Sequence, residues 1–223
     1  KKRIVCLMGG TQLGKTTFGP HWLEREMGER GPGDYLVVTA THPLKDLKLL
    51  PELETLFVRL LGRFEYRAAK SVFESHEKVN GGPAYRIIVG SAQNPESLES
   101  ATAKAAWLDE AGQHQFGRGA WEAVQRRLLV NQGRMLITTT PYEWGWFKSE
   151  VFDRWRDDPE GSGIDMIQVD SRVNPAFPKE EYDRAQRELP RWKFNMFFRG
   201  IFERPAGLIY DCFDEQVSRI PRF

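Results

Sequence analysis

One short stretch limits what this chain can fold into. Ile4-Val5-Cys6-Leu7-Met8 is apolar and runs straight into Gly9-Gly10-Thr11-Gln12-Leu13-Gly14-Lys15-Thr16. The first five residues read as a buried strand, and the next eight fit the pattern G-x-x-x-x-G-K-[ST]. Glycines at that spacing let the backbone curl so that successive N–H groups face inward, and a following helix adds its positive N-terminal end. Such a curl cradles a polyphosphate. Gly10, Thr11, Gln12, Leu13, Gly14, Lys15, Thr16 and Thr17 would line it, with Lys15 reaching the β- and γ-phosphates and the Thr16 hydroxyl ligating Mg²⁺. A chance match in a Gly-rich turn would lack the flanking strand and helix that the motif requires.

Composition sets the outer bounds. The 223 residues, 40% hydrophobic and 28% charged, are enough for one good-sized core with a small appendage. No apolar run approaches a membrane span and the N-terminus does not read as a signal peptide, so no membrane partner is expected. A net charge of +1 gives no global basic signature, so charge alone does not argue for DNA. Cys6 and Cys212 lie far apart and imply neither a disulfide framework nor a zinc site, in keeping with a reducing compartment.

Further along, residues 16–27 read as a helix with Trp22, Leu23 and Met27 on its apolar stripe, bent at Gly19-Pro20. Residues 28–34 are a breaker cluster, and residues 35–40 a second buried strand. Leucines 47, 50, 53, 56 and 60 recur at near-helical spacing, interrupted by Pro51. Residues 64–73 alternate as an edge strand or hairpin, residues 80–83 form a turn, and residues 85–90, 105–108, 135–137 and 164–169 are further strands. Short apolar strands alternating with helical stretches predict an α/β fold, a mostly parallel sheet flanked by helices. The strands end in polar residues on a shared carboxyl edge, where such sheets bind ligands.

Trp107-Leu108-Asp109-Glu110 supplies what a phosphate loop needs. An acid closing a buried strand, Asp109, holds Mg²⁺, and the next carboxylate, Glu110, orients or deprotonates the attacking water, with Lys15 as its catalytic partner on the phosphates. Thr138-Thr139-Thr140 ends another strand and is placed to sense the γ-phosphate, with Thr139 and Thr140 as the expected contacts. Arg118, Arg126 and Arg127 are candidates for a charge-neutralising finger, in cis or from a neighbouring subunit. Histidines 42, 76 and 114 show no ligand spacing. The aromatic clusters around 142–147 and 192–198 read as core before they read as base-stacking platforms.

Taken in order, the loop, residues 107–113 and residues 137–142 resemble the ATPase domain of tailed-phage large terminase subunits, the DNA-packaging motors. The tail carries the specificity of the resemblance: Asn174-Pro175, Glu181-Tyr182, residues 197–202, Gly207-Leu208-Ile209-Tyr210 and Phe213-Asp214 look like the segment joining terminase ATPase to nuclease. The resemblance implies a P-loop NTPase of the additional-strand, RecA-like class, using ATP and Mg²⁺. It divides the chain into a core over 1–170 and a lid or linker subdomain over 171–223. It further implies double-stranded DNA, a portal and procapsid, and a small terminase subunit as partners, a homo-oligomeric ring, and work in the host cytoplasm. Nuclease activity is not expected, since Asp211, Asp214 and Glu215 do not make that site. Many terminases carry arginine where this chain has Thr11, and Leu-Arg-Gly where it reads Leu98-Glu99-Ser100, so Lys104 or a later arginine would have to act as finger. Two other readings fit the same motifs: a helicase-like DNA translocase, or a nucleotide-binding assembly module with weak turnover.

Overall fold

A computed structural model describes residues 2–95 and 102–204. The expectations for Leu98-Glu99-Ser100, Gly207 to Tyr210, Asp211, Cys212, Phe213, Asp214 and Glu215 therefore lie outside the described residues.

The strands are β1 (Ile4–Gly9), β2 (Gly33–Thr39), β3 (Phe64–Arg67), β4 (Val72–Ser75), β5 (Lys78–Val79), β6 (Gly82–Pro83), β7 (Tyr85–Ser91), β8 (Ala105–Asp109), β9 (Arg134–Thr139) and β10 (Ile164–Val169). Eight of them form one sheet in the order β10-β1-β9-β8-β2-β7-β4-β3, and β5 and β6 make a separate small ribbon. From β10 to β7 every pairing is parallel, while β4 joins β7 and β3 joins β4 antiparallel. Residues 64–75 are thus both alternatives of the sequence reading at once, a hairpin whose outer strand is the sheet edge.

Strand alternation divides the core into two layers. Cys6, Met8, Leu36, Val38, Leu108 and Ile137 face the helix Arg118–Leu128, which buries Ala120, Trp121, Val124 and Leu128. Tyr35, Val37, Ile87, Trp107 and Leu136 face the other side, against α1 (Lys15–Arg30) and a helical run over residues 42–60. This is a helix–sheet–helix sandwich, and it places the carboxyl ends of the parallel strands on one rim.

Local sequence explains two departures from expectation. First, α1 continues through Gly19-Pro20 and Gly28 to Arg30. Gly19 lies against the indole of Trp107, where a Cβ would stand 2.1 Å from the ring, so the glycine serves close approach of helix to sheet. Second, Pro51 does not interrupt the helical run. Wide turns over Lys45–Leu49 and Glu54–Leu60 flank a short α-segment, Leu50–Leu53, and the Leu50 N–H bonds to the Lys45 carbonyl five residues back. The wide turn absorbs the bond that proline cannot make.

Of the aromatics read as core, Phe147 and Phe194 are buried and Trp146 packs on the first layer, whereas Trp144 is 43% exposed. Cys6 is fully buried, and burial pushes its thiol pKa up. No helix among the described residues is long and apolar enough to cross a membrane.

Candidate nucleotide site

The phosphate loop leaves β1 and enters α1 at Gly14, whose φ of +80° is the left-handed conformation that favours glycine. Lys15, the first helical residue, is buried, and its Nζ donates to the carbonyls of Gly9 (3.2 Å) and Gly10 (2.6 Å) and to Thr140 Oγ1 (3.0 Å). Desolvation lowers its pKa. Asp109 and Glu110 oppose that shift and Lys48, from the helical run, adds to it.

Sheet register brings the second centre alongside. β9 lies between β1 and β8, so Thr138 is opposite Asp109 on one side and Leu7 on the other. Thr138 Oγ1 donates to Asp109 Oδ1 at 2.7 Å and accepts from Trp107 Nε1 at 2.7 Å. From the loop side, Thr16 Oγ1 lies 3.1 Å from Asp109 Oδ2. Asp109 is 2% exposed, and its pKa is pushed up to about 7 by burial first and by the charge of Glu110 second, against the hydrogen bonds from Thr138 and Thr16 and the charge of Lys15.

Glu110 has φ +55°, a left-handed backbone that costs a non-glycine residue on the order of 1–3 kcal/mol. Its N–H donates to the Thr138 carbonyl at 2.7 Å, which holds the turn. Its Oε2 is buried with no hydrogen-bond partner among the described residues. The left-handed turn thus presents a carboxylate oxygen that no side chain or backbone group among the described residues has taken up.

The three threonines divide the work. Thr138 serves Asp109, and Thr140 serves Lys15. Thr139 turns to the backbone, accepting the Gly112 N–H at 2.8 Å and donating to the Thr140 carbonyl at 3.0 Å. Thr17, at the helix start, donates from its hydroxyl to Glu52 Oε1 at 3.1 Å. Leu13 folds over Gly9, where a Cβ would meet its Cδ2 at 2.5 Å.

The finger candidates do not join this cluster. The Arg127 carbonyl accepts the N–H of Ala103, just before β8 begins, so Arg126 and Arg127 sit at the amino edge, the far rim from Asp109. Lys104 is also at that edge, bonded to the Arg30 carbonyl at 2.8 Å. Arg118 is engaged by Glu122 (3.0 Å) and Glu150 (3.1 Å). For Arg126 and Arg127 the cis alternative is thereby corrected: sheet topology sends these residues, close in sequence to Asp109, to the opposite rim.

Sequence reading missed a set of contacts on the outside of the loop. The Thr11 N–H donates to the Phe197 carbonyl at 2.7 Å, Ser171 Oγ to the Thr11 carbonyl at 2.7 Å, and Asn174 Nδ2 to the Gln12 carbonyl at 2.6 Å. Gly10 is so close to the helix Arg191–Arg199 that a Cβ would lie 2.1 Å from the Phe198 carbonyl. Asp170 ties this segment together through the backbone and guanidinium of Arg172 and the hydroxyl of Tyr182. Asn174-Pro175 stood out in the sequence, but nothing local named its partner.

The donors fit magnesium. Thr16 and Asp109 offer hard oxygens close together, and the raised proton affinity of Asp109 is what a cation would reverse. No group of three or more His, Cys, Asp or Glu among the described residues could hold a metal by itself. A cation here would share its ligands with phosphate and water, as P-loop sites do.

Loop, acid pair and strand order define a P-loop NTPase fold with one strand inserted between the loop strand and the acid strand. No family model matches the chain. In sequence it is 26% identical over 194 residues to the terminase large subunit of Thermus virus P23-45, covering 81% of this chain and 38% of that relative's length. The chain thus spans well under half the length of the curated relatives it matches. The fold matches the large-terminase ATPase domain of Thermus phage P74-26 with TM-score 0.70 at 18% identity, over 91% of this chain and 90% of that one. It also matches the large terminase of a thermophilic bacteriophage, determined in complex with ADP, with TM-score 0.73 at 18% identity, over 99% of this chain and 54% of that one. The chain has the fold of large-terminase ATPase domains and resembles terminase large subunits in sequence.

Proposed function

We infer that this chain is an ATP hydrolase that powers movement of double-stranded viral DNA into a procapsid. One observation carries the reading: Lys15, Thr16, Asp109, Glu110 and Thr140, drawn from three distant parts of the sequence, meet at one rim of the sheet. The sequence resemblance to terminase large subunits and the ADP held by the thermophilic-phage terminase support ATP as the nucleotide.

Each residue has a task in that reaction. Backbone N–H groups of the loop and the start of α1 bind the phosphates, and Lys15 balances charge on the β- and γ-groups. Thr16 and Asp109 hold Mg²⁺, which when bound polarises the γ-phosphoryl and neutralises developing charge. Glu110 orients the attacking water and takes its proton. Thr138 fixes Asp109, and Thr140 fixes Lys15. Residues 171–223 act as a lid or linker, fastened to the loop through Thr11 and Gln12. The neutralising arginine comes from a neighbouring subunit in a homo-oligomeric ring, where Arg118, Arg126 and Arg127 are the candidates. The motor works on a portal with a small terminase subunit, in the host cytoplasm.

Glu110→Gln tests the chemistry. ATP turnover should fall by about 10²–10⁴-fold while ATP still binds. Unchanged turnover removes Glu110 from the mechanism and, with it, this reading.

A further inference from the structure

The segment that clasps the outside of the loop also builds a cleft beside it. Asn174 does two things at once. Its Nδ2 donates to the Gln12 carbonyl at 2.6 Å, and its Oδ1 accepts the Ala176 N–H at 3.0 Å, turning the chain so that Phe177 comes to lie next to the loop. From the other side, the Thr11 N–H bond to the Phe197 carbonyl and the close approach of Gly10 to the Phe198 carbonyl set Phe198 in register with the loop. The rings of Phe177 and Phe198 meet at 6.1 Å and 67°. Between them and the loop is a cleft of about 440 Å³, lined by Thr11, Gln12, Phe177, Ala185, Leu189 and Phe198. That volume falls within the roughly 300–1,000 Å³ range of small-molecule sites. Phe177 and Phe198 are only half-buried, so apolar surface is left facing the cleft.

We propose that this cleft seats the purine base of the nucleotide whose phosphates the loop holds. This rests on the phosphate-binding role given to the loop above. Thr11 and Gln12 belong to the loop and also line the cleft, so the two sites are continuous. Charge decides which end of the ligand enters. Glu181 and Glu188 stand at the cleft against one arginine, Arg184, whose Nη2 is 2.5 Å from Glu181 Oε2. That balance repels a phosphate and tolerates an uncharged base. Aromatic walls suit the flat face that every base presents. Core packing accounts for Phe194, which is buried and stacks on Phe198 at 5.3 Å, but not for the open faces of Phe177 and Phe198 beside the loop.

The test compares ATP with tripolyphosphate, which carries the phosphates and no base, by titration calorimetry with Mg²⁺ on the full chain and on its Phe177→Ala and Ala185→Trp variants. The alanine removes one wall and the tryptophan fills the cleft. Melting without ligand identifies a folding defect in either variant, and the other then decides. Wild-type protein should bind ATP at least about tenfold more tightly than tripolyphosphate, the size of effect expected for stacking of one base. Both variants should lose about tenfold in ATP affinity while tripolyphosphate affinity stays within about twofold. Equal wild-type affinity for the two ligands overturns the base site, as do folded variants that bind ATP like wild type. A parallel loss of both ligands also overturns it, because the cleft then acts only by shaping the loop. Wild-type protein that binds neither ligand overturns the phosphate role of the loop itself, and the base site with it.

Discussion

Thr138→Val is the most informative single change because valine keeps the shape and removes only the hydroxyl. That hydroxyl makes two buried bonds of 2.7 Å each, accepting from Trp107 Nε1 and donating to Asp109 Oδ1. All three residues are at most 2% exposed, so water cannot substitute. Stranding the buried indole N–H costs about 1–3 kcal/mol, and the lost bond to Asp109 about 1 kcal/mol more, for a total of roughly 2–4 kcal/mol. For a chain of this size each kcal/mol moves Tm by about 2–4 °C, so the drop should be on the order of 4–16 °C. The assay is thermal unfolding followed by circular dichroism without nucleotide. Thr138→Ser, which keeps the hydroxyl, should lose much less. In a Trp107→Phe background the valine should cost less, because its stranded partner is gone. A Tm for Thr138→Val within about 2 °C of wild type would refute the claim that this hydroxyl holds the strand pair and Asp109 together.

Other predictions follow from the same geometry. Lys15→Ala should abolish nucleotide binding while leaving Tm without nucleotide near wild type, since the lysine bonds to two loop carbonyls and the Thr140 hydroxyl and belongs to neither apolar layer; a large fall in Tm would contradict this. Gly19→Ala should destabilise the protein by about 1–3 kcal/mol, because its methyl overlaps the Trp107 ring; an unchanged denaturation midpoint would show that α1 can move away at no cost. For Asp170, burial opposes ionisation, but the bonds from Arg172 and Tyr182 outweigh it and hold the carboxyl below its usual range. Because its folded pKa is depressed, Asp170 stabilises the fold above the ordinary carboxylate pKa, and that contribution is lost as pH falls through the lowered value. Asp170→Asn should therefore flatten the acid limb of the stability profile, and parallel profiles for the two proteins would argue against the network.

Much of the site was legible because each element ends locally in its own chemistry. Ile4 to Met8 stops at the glycines, Trp107-Leu108 at Asp109-Glu110, and Met135 to Ile137 at three threonines. What stayed hidden was set by the order of strands. Nothing near Thr138 in the chain says that it pairs with Asp109, and only the insertion of β9 between β1 and β8 brings them together. The same topology carries Arg126 and Arg127 to the far rim although they follow the acid pair closely. Gly19-Pro20 announced a proline inside the helix, but not that Gly19 would lie against Trp107. The clasp of Ser171, Asn174 and Phe197 on the loop joins residues about 160–190 positions apart, a distance over which local pattern carries no information.

In the proposed reaction Lys15, Thr16, Asp109 and Glu110 share one metal-bound triphosphate. A crystal structure with a non-hydrolysable ATP analogue and Mn²⁺ in place of Mg²⁺ tests it directly, through the anomalous signal of the metal. A single strong peak is expected between the Thr16 hydroxyl and the Asp109 carboxylate, beside phosphates held by Lys15, with Glu110 facing the γ-phosphate. A metal peak elsewhere, or a nucleotide bound without Thr16 and Asp109 at its cation, would contradict it.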